Sequence, residues 1–263
     1  MKLAVLLAVI SGHLLLLGAI QGATEFLPVS SSGHLVIFRE WLGLESSGDL
    51  SREIALHFGT VVAVVVFCFR DLLSMLRGGS AGLWKLAIGA SLVTGVLGIA
   101  LEDTIESELN SLTSAGVGLL ITTLMLVVVA PKDDTRQTRG VVDGTWSHGL
   151  LLGLFQSLAL MPGVSRAGST IVGALVLGYL RPDAVRVAFL ISIPAVGGAV
   201  LLKAAEGDNL TQALRPDMLA AMGVACLVGL AALRFISVNV GPRSLRLFGV
   251  YTLLMGVAAL LTA

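Results

Sequence analysis

The 263 residues carry 17 basic and 17 acidic side chains, so the formal net charge is zero, and 56% of the chain is hydrophobic against 13% charged. With a mean hydropathy of +0.93, a water-soluble domain would expose apolar surface that its few polar residues could not cover, so the composition is that of an integral membrane protein. Neutrality and the lack of any basic run or aromatic-basic patch leave no nucleic-acid partner to expect, and Cys68 and Cys226, far apart inside apolar runs, offer neither metal-ligand spacing nor a disulfide framework.

A helix needs roughly 20 mostly apolar residues to cross a hydrocarbon layer ~30 Å thick. The chain opens on an apolar stretch over 3–43 that GAIQGATEFLPVSSSGH, residues 18–34, interrupts with a carboxylate, a proline, three serines and a histidine. A secretory signal over 1–22 is the rival reading of this start, although its cleavage would cut into the motif. Candidate spans follow at 53–69, 83–101 and 113–130, then the polar connector PKDDTRQTRGVVDGTW. A second interrupted stretch occupies 147–180, broken by LMPGVSRAGST at 160–170, and further spans lie at 184–203, 217–234 and 245–262. Non-helical backbone at membrane depth is tolerated only where protein or a water-filled cavity satisfies it. Both breaks therefore read as re-entrant hairpins.

Hairpin followed by three spans occurs twice, over 1–131 and 147–263, and GAIQGATEFLPVSSSGH echoes GLFQSLALMPGVSRAGS, with Gln21 and Gln156 ahead of Pro28 and Pro162. An odd number of spans per repeat turns the second copy upside down. The expected fold is thus an all-α integral membrane protein, a single membrane domain of six transmembrane helices and two re-entrant hairpins in inverted-topology repeats, with its site where the breaks meet. Near the span ends, one side collects Arg70, Arg77, Lys132, Arg136, Arg139, Arg181, Arg234, Arg243 and Arg246, and the other only Lys2, Arg39, Arg52, Lys203 and Arg215. The richer side should be cytoplasmic, which puts both termini and the acidic EDTIESE segment (102–108) outside.

Glu25 and Arg166 are ionisable groups at membrane depth, each costing roughly 2.5–3.5 kcal/mol to insert, and so are functional candidates. The alternative is a structural ion pair between the hairpins. Ser30, Ser31 and Ser32 can serve chemistry or cap the helix that follows. His34 can move a proton or merely pack, while His13 and His57 stand alone in apolar runs and read as packing residues, His57 being notable for opening a span. Together the breaks supply a carboxylate, hydroxyls, an imidazole, a guanidinium and a helix N-terminus after each loop. That set suits phosphate: helix N-termini attract anions, Arg grips phosphate oxygens bidentately, and a carboxylate can hold the divalent ion that pyrophosphate carries. His or Glu can move a proton, and Ser can attack phosphorus if a base adjoins it. HExxH, nucleophile elbow and P-loop patterns are absent.

The paired strings QGATEFLPVSSSGH and PGVSRAGST resemble the two signature regions of the undecaprenyl-pyrophosphate phosphatase family of the bacitracin-resistance type. The resemblance runs from the first hairpin to the end of the chain. It implies six spans with two re-entrant hairpins in interdigitated inverted repeats, a homodimer, and removal of the terminal phosphate from an isoprenyl pyrophosphate at the outer face of the plasma membrane, so that the lipid carrier returns to cell-wall polymer synthesis. It also implies a divalent cation, Mg2+ or Ca2+. The family's first motif falls on Gln21 and Glu25, its loop serine and histidine on Ser31 and His34, and its second motif on Ser165, Arg166 and Thr170. Gln21 stands where many members have Glu, leaving Glu25 as the one carboxylate for metal, and Ala167 stands where a second serine is common. SSGH also resembles the PSGH of phosphatidic-acid-type phosphatases, but Val172 occupies the place of the histidine that family needs.

On this reading Arg166 clamps the pyrophosphate, Glu25 binds metal or acts as general base, Ser31 is nucleophile or phosphate ligand, and His34 transfers protons. Gln21, Ser30, Ser165 and Thr170 position phosphate oxygens. Ser31, His34 and water stay open as the attacking group. A transporter flipping the monophosphate lipid is the rival function, since inverted repeats around a midplane anion site are transporter architecture.

Overall fold

The computed structural model describes residues 12–41, 50–79, 81–107, 111–131, 133, 135–205 and 214–263. Residues 1–11, the side chain of His13 and the acidic side chains of the 102–108 segment, on which parts of the sequence reading fall, lie outside the described residues. Among the described residues the regular structure is helical, apart from one isolated bridge between Arg139 and Tyr179.

Two short helices come first, α1 (Gly12–Phe26) and α2 (Ser31–Trp41), joined by the turn over 27–30. There follow α3 (Leu50–Phe67), α4 (Phe69–Leu76), α5 (Ala81–Ser107) and α6 (Leu112–Leu124), the last prolonged by a π turn at Met125–Val129. The polar connector leads to a second short pair, α7 (Trp146–Ser157) and α8 (Arg166–Val176), and then to α9 (Arg181–Ala205), α10 (Pro216–Asn239) and α11 (Pro242–Thr262). Pro216 and Pro242 sit at helix starts, where a missing N–H is harmless.

At 1.5 Å per residue, the described 15 residues of α1 extend ~22 Å and the 11 of α2 ~16 Å, and the 11 of α8, bounded on both sides by described turns, reach only ~16 Å, short of the hydrocarbon layer. Among the described residues, five helical stretches are long and apolar enough to cross it: Ala81–Leu101, Leu112–Val129, Arg181–Leu202, Pro216–Asn239 and Pro242–Thr262. Ala55–Phe67 and Phe69–Leu76 are together apolar and long enough for a sixth when taken as one span, with a bend of 66° between them. Helical bonding continues through that bend, with Cys68 N donating to the Val64 carbonyl and Leu72 N to the Cys68 carbonyl, both at 2.9 Å. Arg186 of α9 holds the bent piece by donating from Nε (3.3 Å) and Nη2 to the carboxylate of Asp71, and from Nη1 to Asp183 at 3.0 Å.

The two short pairs are exchanged between halves of the chain: α1 packs along α10, and α7 along α5. Glycines make both contacts possible. A Cβ at Gly18 or Gly22 would lie 2.4 or 2.5 Å from the carbonyl oxygens of Ala221 and Ala225, and one at Gly149 would lie 2.5 Å from that of Lys85. Small residues four apart let helix backbones touch where no hydrophobic force drives helices together in lipid. The remaining spans pair α6 with α11 and α3 with α9 and α10. At the centre α8 is buried from Ala167 to Leu175, while Phe189 meets Phe26 and Phe67 edge-on at 5.6 and 6.1 Å. Leu92, Ile99, Leu201, Leu227, Leu254 and Leu261 remain exposed, as lipid-facing side chains are.

Candidate active site

Each break is a short loop closed by a serine. In the first, α1 ends before Pro28 and the chain turns through Ser30, whose φ of 69° lies in the left-handed region. For a non-glycine residue this costs about 1–3 kcal/mol. Three bonds offset it: Ser30 Oγ accepts from Gly33 N at 3.2 Å, capping α2, and the Ser30 carbonyl accepts from His34 N at 3.2 Å and from His34 Nδ1 at 2.7 Å. In the second break, Gly163 takes a φ of 89°, and a Cβ there would meet the Ala115 carbonyl oxygen at 2.1 Å, so only glycine satisfies both constraints. Thr122 of α6 secures that loop, donating to the Gly163 carbonyl and accepting from Ser165 N, each at 2.9 Å. Ser165 Oγ then accepts from Gly168 N at 3.1 Å and caps α8. The loops press on one another, since a Cβ at Gly33 would fall 2.8 Å from Gly163 Cα and one at Gly168 3.2 Å from Pro28 Cβ.

Where the loops meet, Glu25 gathers donors from both. It is 8% exposed. Its Oε1 accepts from Arg166 Nη2 at 2.5 Å, and its Oε2 from Ser31 Oγ at 2.6 Å and Gln21 Nε2 at 3.1 Å. Gln21 Nε2 also lies 3.1 Å from His57 Nδ1, which must accept there, and that nitrogen is 3.9 Å from Glu25 Oε2. Two buried polar atoms in this cluster have no partner among the described residues, Arg166 Nη1 and Gln21 Oε1. A cavity of about 270 Å³ opens beside the cluster, with Glu25, Ser30, Ser31, His57, Ser165 and Arg166 in its wall and Ala159, Leu160, Ala195, Val196, Ala199 and Val200 on its apolar part. The first residues of α2 and α8 thus both border it, which directs two helix N-termini and their positive ends at its contents.

The predicted residues separate into two groups. Gln21, Glu25, Ser30, Ser31, Ser165 and Arg166 come together at or beside the cavity, the hydroxyls of Ser30 and Ser165 being helix caps as well. His34 and Thr170 do not border it. His34 is 2% exposed, its ring held between the Ser30 carbonyl and Tyr251 Oη, 2.6 Å from Nε2, and stacked on the Tyr251 ring. Thr170 donates to the carbonyl of Arg166 at 2.6 Å and so secures the first turn of α8. The packing role expected for His57 gives way to a place in the cavity wall, and Gln156 and Thr94 join it there. A lone histidine inside an apolar span was the signal for the first, and the echo between Gln21 and Gln156 for the second.

For a divalent cation the available oxygen ligands are the Glu25 carboxylate and the unpartnered Gln21 Oε1; among the described residues no cluster of three or more His, Cys, Asp or Glu exists. One carboxylate with an amide oxygen fits Mg2+ or Ca2+, which complete their shells with water and phosphate oxygens.

Residues 14–258 match the family of the bacitracin resistance protein BacA. The chain is 40% identical over 273 residues to an undecaprenyl-diphosphatase of Rubrobacter xylanophilus, covering 94% of this chain and 96% of that one. It is 36% identical to an undecaprenyl-diphosphatase of Thermomicrobium roseum, covering 93% and 95% of the two chains, and 35% identical to one of Trichlorobacter lovleyi, covering 94% and 95%. A match of this extent spans both breaks and every span between them, and the chain belongs to the bacitracin resistance protein BacA family.

Proposed function

We propose that this protein hydrolyses polyprenyl pyrophosphate, with undecaprenyl pyrophosphate as its substrate, to the monophosphate and inorganic phosphate, returning the lipid carrier to cell-wall polymer synthesis. The observation that carries this reading is the Ser31–Glu25–Arg166 constellation: a hydroxyl 2.6 Å from a buried carboxylate, itself 2.5 Å from a guanidinium with a second nitrogen unpartnered. Ser31 Oγ attacks the terminal phosphorus while Glu25 takes its proton. The Ser31 O–P bond forms, the bridging P–O bond breaks, and the lipid monophosphate leaves with the proton that Glu25 returns to it. Water, deprotonated in turn by Glu25, then attacks the phosphorus of the phosphoserine; the Ser31 O–P bond breaks and Ser31 Oγ leaves with the proton that Glu25 passes to it, giving phosphate and the starting enzyme. Arg166 Nη1 and the N-terminal amides of α2 and α8 neutralise the phosphoryl oxygens throughout.

Glu25 and Gln21 would hold a divalent cation, which supplies charge neutralisation to the pyrophosphate when bound. His34 serves as a positioning residue, holding the strained Ser30 turn that aims Ser31. All of these groups come from one chain, so the chemistry needs no second copy.

We read the two breaks as re-entrant hairpins of interdigitated inverted repeats, a reading supported by the exchange of α1 onto α10 and α7 onto α5. The site opens to the outer face. His57 lies in the first half of α3, Thr94 at the midpoint of α5 and Ala195–Val200 in the second half of α9. None lies on the half nearer the Arg70, Arg77 and Arg181 ends that the charge count makes cytoplasmic. The test is phosphate release from farnesyl or undecaprenyl pyrophosphate by the purified protein in detergent. Release supports hydrolysis, because flipping needs a sealed bilayer and hydrolysis does not; failure of folded protein to release phosphate with Mg2+ or Ca2+ present overturns it.

A further inference from the structure

The cavity holds a second polar group that the chemistry above leaves idle. Gln156, in the last turn of α7 and 2% exposed, donates from Nε2 to Thr94 Oγ1 of α5 at 3.0 Å, and its Oε1 has no partner among the described residues. Both residues border the cavity, and neither is hydrogen-bonded to Glu25, Ser31 or Arg166. Superposing the breaks on their capping serines, Ser30 and Ser165, brings Gln21 onto Gln156, Gly33 onto Gly168 and Ser31 onto Arg166 without a gap. It also brings Glu25 onto Leu160. The cavity therefore repeats one serine-capped helix start with two chemistries: an acid with its serine and arginine on one side, and a neutral amide and hydroxyl next to a leucine on the other.

Open glycines stand next to Thr94 in α5 and in α9. A Cβ at Gly95, Gly197 or Gly198 would meet nothing within 4 Å, and one at Gly98 only Leu160 Cδ2 at 3.9 Å. Elsewhere on α5, Gly82 and Gly89 are pressed against backbone. Glycine inside a helix costs roughly 0.5–1 kcal/mol relative to alanine, and at these four positions no helix contact offsets it. None of the four borders the cavity, whose apolar wall is made by Ala159, Leu160, Ala195, Val196, Ala199 and Val200.

We propose that Gln156 and Thr94 hold the lipid-bearing phosphate while Glu25, Ser31 and Arg166 act on the terminal one, with the first isoprenyl units lying along Leu160 and the small apolar residues Ala195, Val196 and Ala199 of the cavity wall. This rests on the polyprenyl-pyrophosphate reading. The substrate has the same asymmetry as the cavity: one phosphate departs, and the other keeps an apolar chain. An amide has two N–H groups, and only one is engaged here, so the second is a donor for the retained phosphate; the Thr94 hydroxyl, whose single proton is given to the Gly153 carbonyl over a long 3.4 Å, is a second once it turns from that carbonyl. The unpartnered Oε1 accepts from its hydrating water. Neutral donors suit a group that must be held and then released as product, where a second arginine would retain it.

The products separate the two halves, since farnesyl monophosphate carries only the lipid-bearing phosphate and inorganic phosphate stands for the terminal one. Each is measured as an inhibitor of farnesyl pyrophosphate hydrolysis in wild type, Gln156→Leu, Thr94→Val and Arg166→Lys. Gln156→Leu and Thr94→Val are expected to weaken inhibition by farnesyl monophosphate roughly ten-fold or more, as for loss of a hydrogen bond to a charged acceptor, and to shift inhibition by inorganic phosphate less than about two-fold. Arg166→Lys is expected to weaken phosphate inhibition more. Equal shifts for both inhibitors, or none in folded Gln156→Leu and Thr94→Val proteins, overturn the assignment; if Gln156→Leu does not fold, the near-isosteric Thr94→Val decides alone. A wild-type protein that hydrolyses no polyprenyl pyrophosphate would instead overturn the underlying reading.

Discussion

Arg166 and Glu25 stand 141 residues apart in the chain and meet at 2.5 Å, one at the first turn of α8 and the other at the last turn of α1. Nη2 of the arginine closes this contact between the two breaks, while Nη1 stays buried without a partner among the described residues. On the proposed function, the ion pair and the phosphate clamp are two uses of one planar fork, with a phosphate oxygen as the partner for Nη1.

The two halves of that fork are separable by substitution. Arg166→Lys keeps a positive charge near Glu25 but not the second donor, so it is expected to melt within a few degrees of wild type and to lose on the order of 10²-fold or more in turnover. Arg166→Ala leaves Glu25 buried and uncompensated, and loses nearly all activity together with about 3–5 kcal/mol of stability. Melting temperature and phosphate release on both variants check this. Full activity in Arg166→Lys would remove the clamp.

Much of this was legible in the sequence because lipid makes polar residues conspicuous. Glu25, Arg166 and the serine runs had to be explained wherever they fell, and the spans follow from hydropathy alone. What escaped depended on rotation about helix axes. Nothing in ALHFGTVV says that His57 turns toward Gln21, 36 residues away, and nothing in SSSGH says that His34 turns away from the cavity to a tyrosine 217 residues on. The bend beside Cys68 was equally hidden, since Val64, Cys68 and Leu72 keep helical bonds through it and no proline or glycine marks the place.

Glu25→Gln keeps the side-chain volume and the contact with Ser31 but removes the base. Turnover is expected to fall about 10²–10⁴-fold, with little change in melting temperature. Near-normal phosphate release by a folded Glu25→Gln protein would take Glu25 out of the mechanism.

As a positioning residue, His34 should matter less than a proton carrier. His34→Gln is expected to lower the melting temperature and to cost about ten-fold in turnover, leaving the shape of the pH–rate profile as in wild type. Tyr251→Phe, which removes one hydrogen bond to the ring, is expected to destabilise by about 1 kcal/mol. A loss of 10³-fold in His34→Gln with an altered pH profile would return His34 to proton transfer.

Gly163→Ala tests how closely the second break is fitted. The residue must adopt a φ of 89° with the Ala115 carbonyl 2.1 Å from its new Cβ, so the loop and α6 must move apart. Thr122, which bonds Gly163 and Ser165, would lose its geometry. Expected is a loss of several kcal/mol in stability, with activity falling in step as Arg166 shifts. Wild-type melting and activity would show that this contact does not hold the break in place.

Sidedness is the remaining test, and it reads on both the repeats and the outward-facing site. Three exposed positions mark the ends of spans: Thr113 at the start of α6, Leu214 just before α10, and Thr138 in the polar connector. If the second half is inverted relative to the first, positions 113 and 214 share a face although they lie in different halves, and position 138 lies on the other. Single cysteines are placed at each in a Cys68→Ala, Cys226→Ala background that retains phosphate release. A thiol reagent that cannot cross the membrane, added to intact cells, should label positions 113 and 214 and spare 138, which should react only after permeabilisation. The arginines of the connector and of the neighbouring span ends predict that assignment, because positive residues stay cytoplasmic. Labelling of position 138 alone would reverse the orientation and put the cavity on the cytoplasmic side. Labelling of 113 without 214 would break the inversion itself, since an odd number of crossings between them would then be required.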